Sequence, residues 1–188
     1  MKNIIVIGAS RAGKSTFTKL LNKEISNLMI IRTDLLRLAF RDAISKDKNI
    51  KTSSLKTNKD YLSYVLSYYK YANMYEKDYI KVVDTVDFEP KDYKLFDNSI
   101  FICLGYPNLS IEEVLNNWKK YDTELDWTKK RSDEDLLKHA KKHIEDSKYL
   151  QKECEKYQIK FIDTSNNREE VLKELVNYVI KEINKGEE

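Results

Sequence analysis

The chain has 188 residues, 41% of them hydrophobic and 35% charged, enough for one globular domain with a core and long solvated helices. The net charge of +3 comes from interleaved lysines and acids with no basic block, which argues against a nucleic-acid-wrapping surface, and no apolar run approaches the roughly 20 residues that span a bilayer. Cys103 and Cys154 form no CxxC pair and no signal-peptide pattern opens the chain, so the sequence predicts a soluble, cytoplasmic protein with two free thiols.

"NIIVIG" (3–8) is short, β-branched and ended by glycine, the pattern of a buried strand. "KSTFTKLLNKEI" (14–25) follows as a helix, with Phe17, Leu20, Leu21 and Ile25 at helical spacing. "LMIIR" (28–32) is a second strand, and a helix over 34–44 begins after it with Thr33 or Asp34 as its cap. The polar residues 45–58 predict a loop, and the tyrosine-rich 59–78 a helix whose apolar face carries Leu62, Val65, Leu66, Tyr69 and Ala72. Strands are predicted at 79–84, 99–105 and 159–165, a charged helical stretch over 106–150, and a closing helix over 167–183.

Strands alternating with helices predict an α/β fold: a mostly parallel sheet with helices on both faces, in a single domain over 1–188. The stretches 34–78 and 106–150 are too long to be simple crossovers. Both leave from carboxyl ends of strands, where open α/β sheets bind ligands, so they are expected to form a substrate-holding region and a lid.

"GASRAGKSTF" (8–17) lies between the first strand and first helix and carries glycine, four residues, then Gly-Lys-Ser. This is a phosphate-cradling loop in its required strand-to-helix context. Gly8, Ala9, Ser10, Arg11, Ala12, Gly13, Lys14, Ser15 and Thr16 are therefore expected to hold a nucleotide's phosphates. Lys14 is expected to reach the β- and γ-phosphates, and Ser15 to ligate Mg²⁺. "TNKDY" (57–61) mimics a guanine-reading motif, but Asp60 directly follows Lys59, and no Asp-x-x-Gly follows the third strand, so a GTPase is not expected. The length leaves little room for a motor-type ATPase, although Asp84 could supply its acid.

The chain resembles the small P-loop kinases, the nucleoside monophosphate kinases and related kinases of small metabolites. The phosphate loop matches, and "RTDLLRLAF" (32–40) is similar to the adenylate kinase segment in which an arginine grips the acceptor's phosphate, here Arg37. The resemblance implies a three-layer fold with a five-stranded parallel sheet and the loop strand at its centre. It also implies that Thr16 faces the α-phosphate and that the loop holding Asn167 and Arg168 packs beside the adenine. Thr33 stands where adenylate kinase has glycine, "DTVDFEP" (84–90) lacks that family's glycine and arginine, and no paired-arginine lid motif is found.

Asp34, Arg37 and Arg41 fall on one helical face, where two arginines can hold an anionic acceptor and a carboxylate can receive a hydroxyl proton. Helix capping and solvation are the plain alternatives for them. Asp84 ends a strand and can reach Mg²⁺ or act as base, with Asp87 and Glu89 behind it. In the lid, Lys129, Lys130 and Arg131 can supply charge to a transferring phosphoryl group, Arg131 first, with Arg11 a rival for that role. His139 and His143 stand i, i+4, but no glutamate follows the first and no third ligand is in view, so zinc is not expected. The tyrosine stripe at 61–79 reads as packing. Together these predict ATP- and Mg²⁺-dependent phosphoryl transfer to a small-molecule acceptor. A non-catalytic ATP-binding regulator and a kinase of nucleic-acid ends are the rival readings.

Overall fold

Ile4, Ile5, Val6 and Ile7 are consecutive and all fully buried, which a strand achieves only when both faces of its sheet are covered. They form β1 (Asn3–Gly8), the central strand in a computed structural model that describes residues 2–44, 52–124 and 127–185. β2 (Leu28–Arg32), β3 (Ile80–Asp84), β4 (Ser99–Gly105) and β5 (Lys160–Asp163) complete a five-stranded sheet in the order β2-β3-β1-β4-β5. Every pairing is parallel. The fold class and the central place of the loop strand are as the sequence predicts.

Helices α1 (Lys14–Glu24), α2 (Thr33–Ile44), α3 (Lys59–Tyr75), α4 (Ile111–Tyr121), α5 (Asp133–Tyr157) and α6 (Arg168–Asn184) surround it. Leu21 of α1 and Leu172, Leu175 and Val179 of α6 enter one core with β1, which fixes the first turn of α1 over the end of that strand. The register sets Asp84 opposite both Val6 and Arg32, so β1, β2 and β3 end side by side. Loops leaving these ends meet along one edge of the sheet, the place where parallel sheets bind ligands.

Two expectations change. Residues 52–57, expected within a loop, form a 3₁₀ helix whose Leu55 is buried against the core; the rest of that expected loop up to residue 51 lies outside the described residues. Pro90–Leu95 form another 3₁₀ turn, opened by a reciprocal capping box between Glu89 and Asp92. The stretch 106–150, expected to be a lid, divides in two. α5 buries Ala140, Ile144, Ser147, Leu150 and Cys154 and packs on β4 and β5. α4, the 3₁₀ turn Trp127–Lys130 and the first turns of α5 border the cavity at the loop edge. Among the described residues, no helix is long and apolar enough to cross a membrane.

Gly8 closes β1 with φ +136°, and a Cβ there would sit 2.0 Å from the Leu104 carbonyl oxygen of β4. Neither the backbone angle nor the contact tolerates a side chain. Gly8→Ala is expected to destabilise the fold by about 2–4 kcal/mol, read as a lowered denaturant midpoint.

Candidate active site

The phosphate loop is built by backbone. Gly13, at φ +102°, occupies the N-cap position of α1 with no side-chain cap, so the leading N–H groups of the helix remain available to an anion. Tyr106 donates its hydroxyl to the Ser10 carbonyl at 2.9 Å. Thr164 Oγ1 lies 3.1 Å from the carbonyls of both Ala12 and Gly105, tying the loop to the ends of β4 and β5. Ala9 and Ala12 are buried beneath it. Ser10, Arg11, Gly13, Lys14, Ser15 and Thr16 face a cavity of about 780 Å³.

Lys14 is buried and folds back, donating from Nζ to the carbonyls of Gly8 at 3.1 Å and Ala9 at 2.8 Å. Burial pulls its pKa below the usual lysine value, against the opposing pull of Asp84. Ser15 donates its hydroxyl to Asp84 Oδ2 at 2.7 Å. The hydroxyl and carboxylate named from sequence as Mg²⁺ ligands thus touch each other. Two oxygen donors beside a phosphate loop fit a hard cation that keeps several waters.

Opposite the loop, α2 presents Asp34 and Arg37 to the same cavity. Asp34 is half-exposed and lies 3.2 Å from Arg32. The backbone N–H of Leu35 also donates to Asp34, at 3.0 Å. Thr33 is the first residue of α2, and its hydroxyl turns away from the helix end to Asp87 Oδ2 at 2.6 Å. Tyr61 donates to that same oxygen at 2.9 Å, and Arg37 Nη2 lies 3.1 Å from Asp87 Oδ1. The Asp87 carboxylate is fully buried, so this network holds Arg37 by charge in a low-dielectric setting. Arg37 Nε is itself buried without a hydrogen-bond partner. Arg41 is a correction: it pairs with the adjacent Asp42 at 2.7 Å and does not line the cavity.

On the far side, Arg131 lines the cavity at a distance of 3.8 Å from Asp135, while Lys129 and Lys130 do not reach it. Arg11 is ion-paired with Asp122, which also accepts from Thr128 at 2.7 Å, so the phosphate loop is tied directly to the segment after α4. Arg168 stands over the Tyr121 ring at 5.0 Å and beside Gly13. Asn167, in contrast, takes the left-handed N-cap position of α6 at φ +46° and lines only a smaller neighbouring recess with Lys120, Tyr121 and Arg168. Among the described residues, the main cavity carries six cationic side chains (Arg11, Lys14, Arg37, Lys56, Arg131, Arg168) against the carboxylates of Asp34, Asp84 and Glu169. That imbalance suits a polyanion.

No protein-family model matches the chain, and no curated protein is similar to it in sequence. In three dimensions it is similar to a sugar kinase from Janibacter sp. HTCC2649, with 11% identity, a TM-score of 0.58, and coverage of 95% of this chain and 94% of that one. The tunicamycin resistance protein of Deinococcus radiodurans is 13% identical over 95% of this chain and 96% of its own, with a TM-score of 0.55. Dephospho-CoA kinase from Campylobacter jejuni is 15% identical over 99% and 98%, with a TM-score of 0.50. The fold is that of the small P-loop kinases.

Within this kinase fold, sequence reasoning missed several cavity residues. Lys56 carries no motif, and Thr33 was read only as a helix cap. Tyr61, in the stripe read as packing, is fully buried in the core as expected, and its hydroxyl also supports Asp87. Trp118 and Trp127, the only tryptophans, were not singled out, although Trp is scarce enough to have been a signal. His139 and His143 stack beside them with ring centroids 6.1 Å apart.

Burial pushes the His143 imidazole down to about 4. The unfolded chain binds this proton near pH 6.5, and the folded protein refuses it until about pH 4. His143 therefore subtracts stability as pH falls through that window and has no effect above it. Ring resonances in an NMR titration are expected to show His143 neutral at pH 6, with its midpoint near 4.

Proposed function

We propose that this protein is an ATP- and Mg²⁺-dependent kinase that phosphorylates a hydroxyl group of a small molecule. The observation carrying the reading is one cavity: the phosphate loop, the Ser15–Asp84 pair and the Asp34–Arg37 face of α2 all open onto it. A nucleotide's terminal phosphate and an acceptor would therefore meet inside it. The likeness to solved kinases of small metabolites supports this reading through the fold.

The parts divide by environment. Lys14 and the N–H groups of the loop hold the β- and γ-phosphates. Ser15 and Asp84 would hold Mg²⁺, which would supply charge to neutralise the phosphates. Asp84 is engaged with Ser15, which leaves Asp34 as the carboxylate that takes the proton from the acceptor hydroxyl. The freed oxygen bonds to the γ-phosphorus as the bond from that phosphorus to the β–γ bridging oxygen breaks, and ADP carries the electron pair away. Arg37, with Lys56 nearby, holds an anionic group of the acceptor. Arg131 and Arg11 balance charge on the moving phosphoryl group. Arg168, over Tyr121, flanks the nucleotide base. α4 and the 3₁₀ turn Trp127–Lys130 close over the site and exclude water, which suppresses hydrolysis.

Asp34→Asn is the sharpest test. Asparagine caps a helix as well as aspartate does, so the fold and ATP affinity are expected to persist while transfer falls by about 10²–10⁴. The assay follows labelled ATP against a panel of small hydroxy compounds. A fully active mutant would move the role of base to Asp84, and absence of transfer to any compound would favour a nucleotide-binding regulator. For Arg37, truncation to alanine would strand the buried Asp87 charge, a loss of about 3–5 kcal/mol. Arg37→Lys keeps that charge balanced and is expected to raise the acceptor KM with little change in ATP affinity.

A further inference from the structure

One wall of the cavity is made of rings. Trp118 comes from α4, Trp127 from the 3₁₀ turn after it, and His139 and His143 from successive turns of α5. Trp118 and Trp127 meet edge-to-face at 5.5 Å, Trp127 and His139 at 4.9 Å, and Trp118 and His143 at 5.8 Å. A structural core is normally filled with apolar side chains. Here indoles are interleaved with imidazoles, and Trp127, His139 and His143 stay partly exposed to the cavity. Nδ1 of His143 is buried without a hydrogen-bond partner, 3.6 Å from the Asp146 carboxylate. None of the phosphoryl-transfer steps above uses these four residues.

Their position says which ligand they face. Arg11 stands over Trp118 at 5.9 Å, so the wall begins where the phosphate loop ends. Lys56 lines the same cavity as the rings and as Asp34 and Arg37 of α2. The space between rings and α2 is where the acceptor must lie if Asp34 receives its proton. The Tyr121–Arg168 pair lines the cavity too and also borders the recess that holds Asn167, which on the reading above takes the nucleotide's base.

We propose that Trp127, His139 and His143, backed by the buried Trp118, form the specificity subsite for the acceptor, and that the acceptor is a hydroxyl compound built on a heteroaromatic ring. The proposal rests on the kinase reading above. Indole and imidazole faces stack on a flat π-system, and a neutral imidazole offers one donor and one acceptor nitrogen to the ring's polar edge. A saturated polyol would forgo the stacking, and a purely apolar ring would leave the polar edges of the partly exposed His139 and His143 imidazoles facing carbon.

The protein contains its own probe, because its two tryptophans are both in this wall. Indole fluorescence is followed with ADP and Mg²⁺ saturating, so that the nucleotide's own base is already seated. Uridine, adenosine and pyridoxine are then titrated against glucose and myo-inositol. At least one heteroaromatic compound is expected to quench saturably while the polyols do not. His139→Leu is expected to weaken that binding about tenfold, the scale of one lost stacking partner, and to raise the acceptor KM without moving the ATP KM. Trp127→Phe, which keeps a ring, retains binding and guards against a folding defect in the first variant. Quenching by polyols alone, a response to ADP that leaves no room for a second ring, no response to any probe, or an unchanged affinity in His139→Leu would each overturn the proposal. ADP binding is measured separately by calorimetry on the wild type and on Lys14→Ala. Loss of ADP binding in the wild type would bring down the kinase reading itself, whereas normal ADP binding without ring binding brings down only the subsite.

Discussion

At the end of β1 the backbone of Gly8 presses against Leu104 so closely that a methyl group would overlap its carbonyl oxygen. This contact aligns the last residues of the two central strands, and the rest of the site is arranged from there. The N–H of Ala9 donates to Leu104 at 2.9 Å, and the chain then turns into the phosphate loop. Tyr106 and Thr164, from the ends of β4 and β5, hold the outer carbonyls of that loop. A loop pinned at both ends loses little further entropy when a ligand seats, which is how preorganised sites gain affinity.

Charge is the second constraint. Lys14 is desolvated and its pKa is lowered by burial, and that of Lys56 is lowered by burial and by Arg37. Cations gathered this way repel one another until an anion enters. The protein tolerates the arrangement by holding some of them in reserve. Lys14 sits on carbonyls, Arg37 on Asp87 and Arg11 on Asp122. Each of these contacts uses a cation's charge inside the protein, and on the proposed reading phosphate oxygens would compete for the same donors.

The same pairs join the elements around the cavity. Arg11 joins the phosphate loop to Asp122, at the exit of α4, and Thr128 shares that carboxylate. α5 is seated on the sheet: Cys154 and its buried neighbours pack against β4, and the Cys103 thiol is hydrogen-bonded to Cys154 and pushed upward in pKa by that contact and by burial. The two imidazoles on α5 meet Trp118 of α4 and Trp127 of the turn after it.

Local pattern alone determined the alternation of strands and helices, the parallel sheet and the phosphate loop, because each depends on contiguous residues: Ile4–Ile7 for the buried strand, Gly8 to Ser15 for the cradle. It also marked Ser15 and Asp84 separately, through one motif and one strand end. Only tertiary structure brought them within 2.7 Å, since the pairing depends on the register of β3 against β1. Asp34, Arg37 and Arg41 share a helical face in sequence, yet the cavity takes only the first two, because Arg41 lies a turn farther on, where Asp42 is the nearer partner. Asp87 read as a weaker candidate behind Asp84 for the cation or base, and is instead the buried anchor of Arg37, supported by Thr33 and Tyr61, 54 and 26 residues away. The ring wall was invisible for the same reason: its members come from three elements, and a spacing rule sees one element at a time.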